Sequence, residues 1–404
     1  MKNGNSQTSS PFTIHQSSLS SSRSIMIVSG EASGDMHGAA LALELKKRRP
    51  NIHIFGMGGE YMRAAGVEIL TPLNPVVGII EVIGHISGIL RSFKTLKQAI
   101  DKRRPDLVVL IDYPDFNLRI AAHAKTLGIK VMYYISPQVW AWRKGRVKKI
   151  ASLIDAMAVI LPFEQKIYEQ EGVNCLYVGH PLIEELAVFA SKNASKNPEC
   201  IRLAETKNLK KDSPFLALLP GSRRGEIGRH IDLLVNTVNL IKKECPDIQV
   251  VVPVAATLPG ESRLKLELLK NAGATLVEGH AREVLSMADV ALVASGTASL
   301  ESALLGTPTV VFYRLNTLTF LMVRVMVKIR YASLVNIILG REVIPEFIQA
   351  QATPDNLKKA VLSLIHDENS RNKMLAAFEA VRRELKNYSA SVNAADLVEE
   401  LAGW

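Results

Sequence analysis

The sequence predicts an α/β protein of two successive domains, each built on an open, mostly parallel sheet. At 404 residues the chain is longer than a single hydrophobic core ordinarily spans. Short apolar runs free of Pro and Gly alternate with amphipathic stretches of helical period, as strands buried on both faces and their covering helices do. That alternation breaks at a polar tract, A-S-K-N-A-S-K-N-P-E-C at 190–200, and then begins afresh. The boundaries follow as a tail over 1–24, a first domain over 25–181 and a second over 182–370, with 371–404 packing back on the first.

Composition narrows the partners without choosing one. A hydrophobic share of 48% with 22% charged residues is that of a globular protein. The net charge of +10 suits anions: phosphorylated metabolites, an acidic membrane surface or nucleic acid. Cys175, Cys200 and Cys245 are far apart and lack metal spacing, so neither a disulfide framework nor a zinc site is expected. Residues 1–24 are rich in Ser, Thr, Asn and Gln and read as a disordered tail without a secretory apolar block. No segment has the unbroken apolar length of a membrane-spanning helix.

In the first domain, Ile25–Val28 reads as a strand and S-G-E-A-S-G-D (29–35) turns it into a helix from Met36 to Arg48, with Ser33 and Asp35 as caps. The loop is not G-x-G-x-x-G, so it does not announce a dinucleotide. A strand over Ile52–Gly56 and a short helix over Tyr61–Ala65 follow. Val76–Leu90 is apolar yet carries Gly78, Glu81, Gly84 and Gly88, which favours an apolar flap bearing on lipid over a core segment. Glu81 and His85 could form a helix-face pair there. Leu107–Ile111 is the clearest strand, and D-Y-P-D-F-N (112–117) follows it. Pro114 forces an extended or turning backbone before it, so Asp112 projects from the strand end into the crevice, where a general base belongs, while Asp115 caps the next helix. Strands over Lys130–Ile135, Ala156–Ile160 and Leu176–Val178 complete the sheet. Trp140 and Trp142 beside Arg143, Lys144 and Arg146 suit a membrane interface or a core corner, and nucleic acid least, because no binding module surrounds them.

The second domain starts with a strand over Phe215–Leu219. The loop P-G-S-R-R-G-E (220–226) then offers a Gly, a hydroxyl and Arg223 ahead of a helix, an arrangement suited to a diphosphate, with one of its two Arg left as surface charge. Strands over Gln249–Pro253 and Ala274–Val277 lead to Val290–Ala294. There Ser295, Gly296 and Thr297 open a helix over Ala298–Leu305, placing free N–H groups at a strand end. Glu301 stands one turn into it, within reach of a ribose. A plain strand–turn–helix unit with a solvated Glu is the bland alternative. After Thr309–Tyr313, the stretch 316–331 is apolar with Arg324 and Lys328 at helical spacing, suited to a bilayer interface or to burial with charged tips in water. Asn336 and Gln349 are neutral polar residues in apolar settings, better suited to hydroxyls than to ion pairs.

Taken in order, S-G-E-A-S-G-D (29–35), D-Y-P-D-F-N (112–117), S-P-Q-V-W-A-W-R (136–143), G-H-P (179–181), L-P-G-S-R-R-G-E-I (219–227), A-S-G-T-A-S-L-E (294–301) and N-I-I-L-G-R-E (336–342) closely resemble the lipid-A-disaccharide synthase family. The resemblance implies a GT-B fold of two Rossmann-like domains facing across a cleft. It implies an inverting transfer of 2,3-diacylglucosamine from UDP-diacylglucosamine to the 6-hydroxyl of diacylglucosamine 1-phosphate. Carried over by position, Asp112 matches the general base, and Arg223, Glu301, Asn336 and Gln349 match nucleotide-sugar positions, with Ser33 beside them. The family further implies work at the cytoplasmic face of a bacterial inner membrane, and homodimers through the C-terminal region. No D-x-D pair occurs at a suitable loop, so neither a metal ion nor another cofactor is expected. The competing readings are another GT-B UDP-sugar enzyme, an epimerase or a peptidoglycan-type transferase, and, from a different class, a non-catalytic protein binding membrane or nucleic acid.

Overall fold

A computed structural model describes residues 23–73, 79–139, 145–190, 197–255, 258–294, 296–316, 320, 330–386 and 388–404, with backbone alone at 79–86, 188 and 190. Among these residues the strands are β1 Ser24–Ser29, β2 His53–Gly58, β3 Glu68–Pro72, β4 Leu107–Ile111, β5 Lys130–Tyr134, β6 Ala156–Val159, β7 Asn174–Tyr177, β8 Phe215–Leu219, β9 Gln249–Val254, β10 Ala274–Glu278, β11 Val290–Ala294, β12 Thr309–Tyr313 and β13 Glu346–Ile348. They form a seven-stranded sheet in the order β3-β2-β1-β4-β5-β6-β7 and a six-stranded sheet in the order β10-β9-β8-β11-β12-β13. The described ladders are parallel throughout.

In each sheet the strand order reverses once, between β1 and β4 and between β8 and β11. Chain connections leave such a point in opposite directions, so a crevice opens beyond the carboxyl ends of the two strands. β4 and β11, every residue buried, are the unpunctuated apolar runs of the sequence. β3 gave no comparable signal: only Thr71 of E-I-L-T-P is buried, and the strand ends on Pro72, which an edge strand tolerates.

The first helix begins at Ala32 rather than Met36, and neither Ser33 nor Asp35 caps it; its N-cap, Glu31, makes no side-chain cap bond. Asp35 is instead buried inside its first turn. Its carboxylate accepts the backbone N–H groups of Gly59 (2.7 Å), Tyr61 (3.0 Å) and Met62 (3.2 Å), so it caps the helix Glu60–Ala64. From Ile79 the backbone of the expected flap is the start of a long helix, Ile79–Arg103. At the end of that stretch Ile89 packs on the core of the first domain and Leu90 is exposed, while the apolar side chains up to 86, and the Glu81–His85 pair, lie outside the described residues. So do Trp140, Trp142 and most of the apolar stretch after Tyr313.

The segment 371–404 divides. Helix Glu368–Leu385 buries Met374, Phe378 and Val381 in the core of the second domain. Helix Ala390–Ala402 buries Ala394, Leu397 and Val398 against the first, where Arg48 grips Asp396 (2.6 Å) and Glu399 (3.1 Å). The link between the sheets is the helix Pro181–Ala190, whose Leu182 and Leu186 belong to the second-domain core.

Candidate active site

A cavity of about 840 Å³ lies beyond the carboxyl ends of β8, β9, β10 and β11. Arg223, Gly296, Thr297 and Glu301 line it together, and Met36 and Tyr61 of the first domain close its far side, so it is a cleft between the sheets. Gly296 has φ +120, a left-handed conformation that a residue with a Cβ rarely adopts, and it leads directly into the helix Thr297–Leu305. The first N–H groups of a helix have no partner within it and carry the positive end of its dipole, so this turn is suited to an anion. Ser295 is outside the described residues.

The loop before the helix Arg224–Glu244 is organised differently from expectation. Glu226, in the first turn, reaches back to accept the N–H groups of Ser222 (3.0 Å) and Arg223 (3.2 Å), while its other oxygen accepts the Tyr313 hydroxyl (3.0 Å). Those two N–H groups are therefore already satisfied, and what the loop offers an anion is the Arg223 guanidinium. Arg224 pairs with Glu261 (2.7 Å) at the surface and is the Arg left as surface charge.

Glu301 is buried enough that desolvation pushes its carboxyl up, opposed by the Arg282 guanidinium, whose Nε donates to it over 3.0 Å. Arg282 also donates to Glu185. The sequence reading missed Arg282. The available signal was its place just beyond Gly279-His280 at the end of β10, the position that loop residues of β8 and β11 occupy on their strands.

On the first-domain sheet, Asp112 follows β4 at the reversal point; it is half-buried and, unlike Met36 and Tyr61, is not among the residues that line the cavity. Asp112 and Tyr113 both adopt left-handed backbone conformations, φ +46 and +48, which non-glycine residues rarely do. The Asp112 carbonyl oxygen accepts two donors that fix this turn, Asn117 Nδ2 (2.7 Å) and the Tyr133 hydroxyl (2.5 Å). Burial, helped by the Glu31 carboxylate and opposed by the Tyr113 backbone N–H, pushes the Asp112 carboxyl up to about 6. Such a carboxylate is a stronger base than an exposed one and still largely ionised at neutral pH. Asp115 does not cap its helix; it pairs with Arg146 and is mostly exposed.

Ser33 is exposed one turn before Met36 and does not itself line the cavity. Asn336 and Gln349 are not brought there either. Asn336 is fully buried: its Oδ1 accepts from Val343 (2.8 Å) and Ile344 (3.0 Å), and its Nδ2 donates to Ile344 (2.8 Å) and to Glu346 (2.7 Å). Gln349 spends both ends of its amide on the backbone of Leu315. The Asn336 amide, with both donors and both lone pairs engaged, has nothing left for a ligand hydroxyl, and Gln349 keeps one donor and one lone pair outside the cavity.

The family model described as lipid-A-disaccharide synthetase matches residues 25–400. A lipid-A-disaccharide synthase of Myxococcus xanthus is 42% identical over 93% of this chain and 97% of its own, and one of Syntrophus aciditrophicus is 40% identical over 93% and 96%. Among solved structures, UDP-GlcNAc 2-epimerase from Neisseria meningitidis, bound to UDP-GlcNAc, superposes with a TM-score of 0.65 at 14% identity, covering 93% of this chain and 98% of that one. That likeness is one of fold.

Proposed function

Since the chain belongs to the lipid-A-disaccharide synthetase family and is a glycosyltransferase of the GT-B fold, we propose that it transfers 2,3-diacylglucosamine from its UDP conjugate to the 6-hydroxyl of 2,3-diacylglucosamine 1-phosphate. The observation that carries this reading is the cleft itself, with Arg223, Thr297 and Glu301 on one wall and the first domain on the other.

In this reading the acceptor oxygen attacks the anomeric carbon from the face opposite the diphosphate. The new C–O bond forms as the bond to the UDP oxygen breaks, the configuration inverts, and the hydroxyl proton passes to Asp112. A positioned carboxylate base contributes about 10²–10⁴-fold. The departing diphosphate gains negative charge, which Arg223 and the start of the helix Thr297–Leu305 stabilise. Glu301 accepts the ribose hydroxyls with the oxygen that Arg282 leaves open.

Both substrates carry acyl chains, so the reading includes work at the cytoplasmic face of a bacterial inner membrane, and it extends to a homodimer. Among the described residues no helix is long and apolar enough to cross a membrane. The test is UDP release by the purified protein given each diacylated sugar alone and both together. Release only with both supports the transfer; release or epimerisation with the UDP-sugar alone would replace it with an epimerase reading.

A further inference from the structure

The cleft touches a second, smaller cavity of about 210 Å³, where four parts of the molecule meet. Met36 and His37 come from the first domain, Glu184 and Glu185 from the connecting helix Pro181–Ala190, Ser391 from the returning helix, and Arg282 from the second domain. Arg282 lines both cavities. Its guanidinium is shared between Glu301, at 3.0 Å, and Glu185, and the three side chains are 30%, 17% and 22% exposed. On the same helix, Glu184 accepts the backbone N–H (3.0 Å) and the hydroxyl (3.1 Å) of Ser391. Adjacent carboxylates of the connector thus hold Arg282 of the second domain and the helix that returns to the first.

Two carboxylates sharing one guanidinium are energetically linked. Arg is suited to this because its planar fork can donate in two directions at once. Removing either carboxylate changes how firmly the other is held, and an interaction at Glu301 is felt at Glu185. Burial pushes the Glu301 carboxyl up, and the Arg282 guanidinium opposes that shift.

We propose that Arg282 and Glu185 are positioning residues for the nucleotide site, with Glu185 holding Arg282 so that Glu301 presents its free oxygen to the ribose, thereby linking nucleotide occupancy to the connector between the domains. This rests on the nucleotide reading of the cleft and adds to it a residue from outside the cleft.

The experiment is a double-mutant cycle on UDP affinity, measured by titration calorimetry with the full chain. The variants are Glu185→Gln, Arg282→Gln and the pair, each checked for an unchanged thermal melt. Arg282→Gln is expected to weaken UDP binding on the order of 10-fold or more, the size of a lost charge-assisted hydrogen bond. Glu185→Gln is expected to weaken it roughly 3- to 10-fold and to add nothing in the Arg282→Gln background, since its effect runs through that guanidinium. Should Arg282→Gln fail to fold, Arg282→Lys, which keeps the charge and loses the fork, takes its place. Wild-type affinity in Glu185→Gln, or losses that multiply in the double variant, would overturn the proposal. Absence of UDP binding by the wild type would instead overturn the nucleotide reading beneath it.

Discussion

Glu31 and Asp112 stand at the carboxyl ends of neighbouring strands, β1 and β4, and the charge of the first raises the proton affinity of the second. Burial is the larger cause and Glu31 the next, together bringing Asp112 to about 6. Because the base must be ionised to accept a proton, kcat/KM is expected to rise with pH through about 6 and level off above it. Glu31→Gln removes the repulsion and should move that limb to lower pH. A limb that stays in place in this variant excludes the coupling.

The same elevation has a cost in stability. The folded carboxyl binds its proton more tightly than the unfolded one, so the contribution of the neutral form is complete below the unfolded value and is lost as pH rises through about 6. Asp112→Asn should therefore be at least as stable as the wild type at pH 7.5, and by up to about 3 kcal/mol more so. Urea unfolding at that pH and at pH 4.5 checks this, with the difference shrinking at the lower pH.

Gly30 faces the ring of Tyr113: a Cβ added to Gly30 would stand 2.2 Å from Tyr113 Cγ. Gly30→Ala must push the ring aside, and the Asp112–Tyr113 turn with it. Loss of about 1–3 kcal/mol in stability is expected from overpacking, together with a drop in kcat. The double variant Gly30→Ala, Tyr113→Ala should recover part of the turnover. Activity unchanged in Gly30→Ala would show that the turn tolerates displacement.

Glu226 ties the Arg223 loop to its helix and to Tyr313. Replacing it with Ala removes acceptors from two N–H groups and a hydroxyl, which should lower stability by about 1–2 kcal/mol. The same replacement should raise KM for the UDP-sugar more than it lowers kcat, because Arg223 loses its fixed mounting. Steady-state kinetics beside thermal melts separate the two effects.

Much of this was legible in the chain. β4, β8, β11 and β12 coincide with the expected runs, because apolar runs of this length bounded by turn residues are too short for a helix and suit a strand buried on both faces. The loops beyond them, with Arg223, Gly296, Thr297 and Glu301, were legible for the same reason: parallel strands deliver the loops at their carboxyl ends to one edge of the sheet. The features that were not legible depend on contacts distant in sequence. Asp35 looks like a cap for its own helix and caps another, since its partners Gly59, Tyr61 and Met62 come from the next strand–helix turn. Asn336 looks like a free amide and is consumed by Val343, Ile344 and Glu346. Arg282 is one basic residue among many until Glu185 and Glu301 are seen on either side of it.

Turnover and binding by Asp112→Asn, measured on one preparation, test the central claim most directly. The account predicts that release of UDP with both diacylated sugars falls about 10²–10⁴-fold while UDP-sugar affinity stays within about twofold of the wild type. Turnover near the wild-type rate would contradict it, and the proton would have to leave by another group.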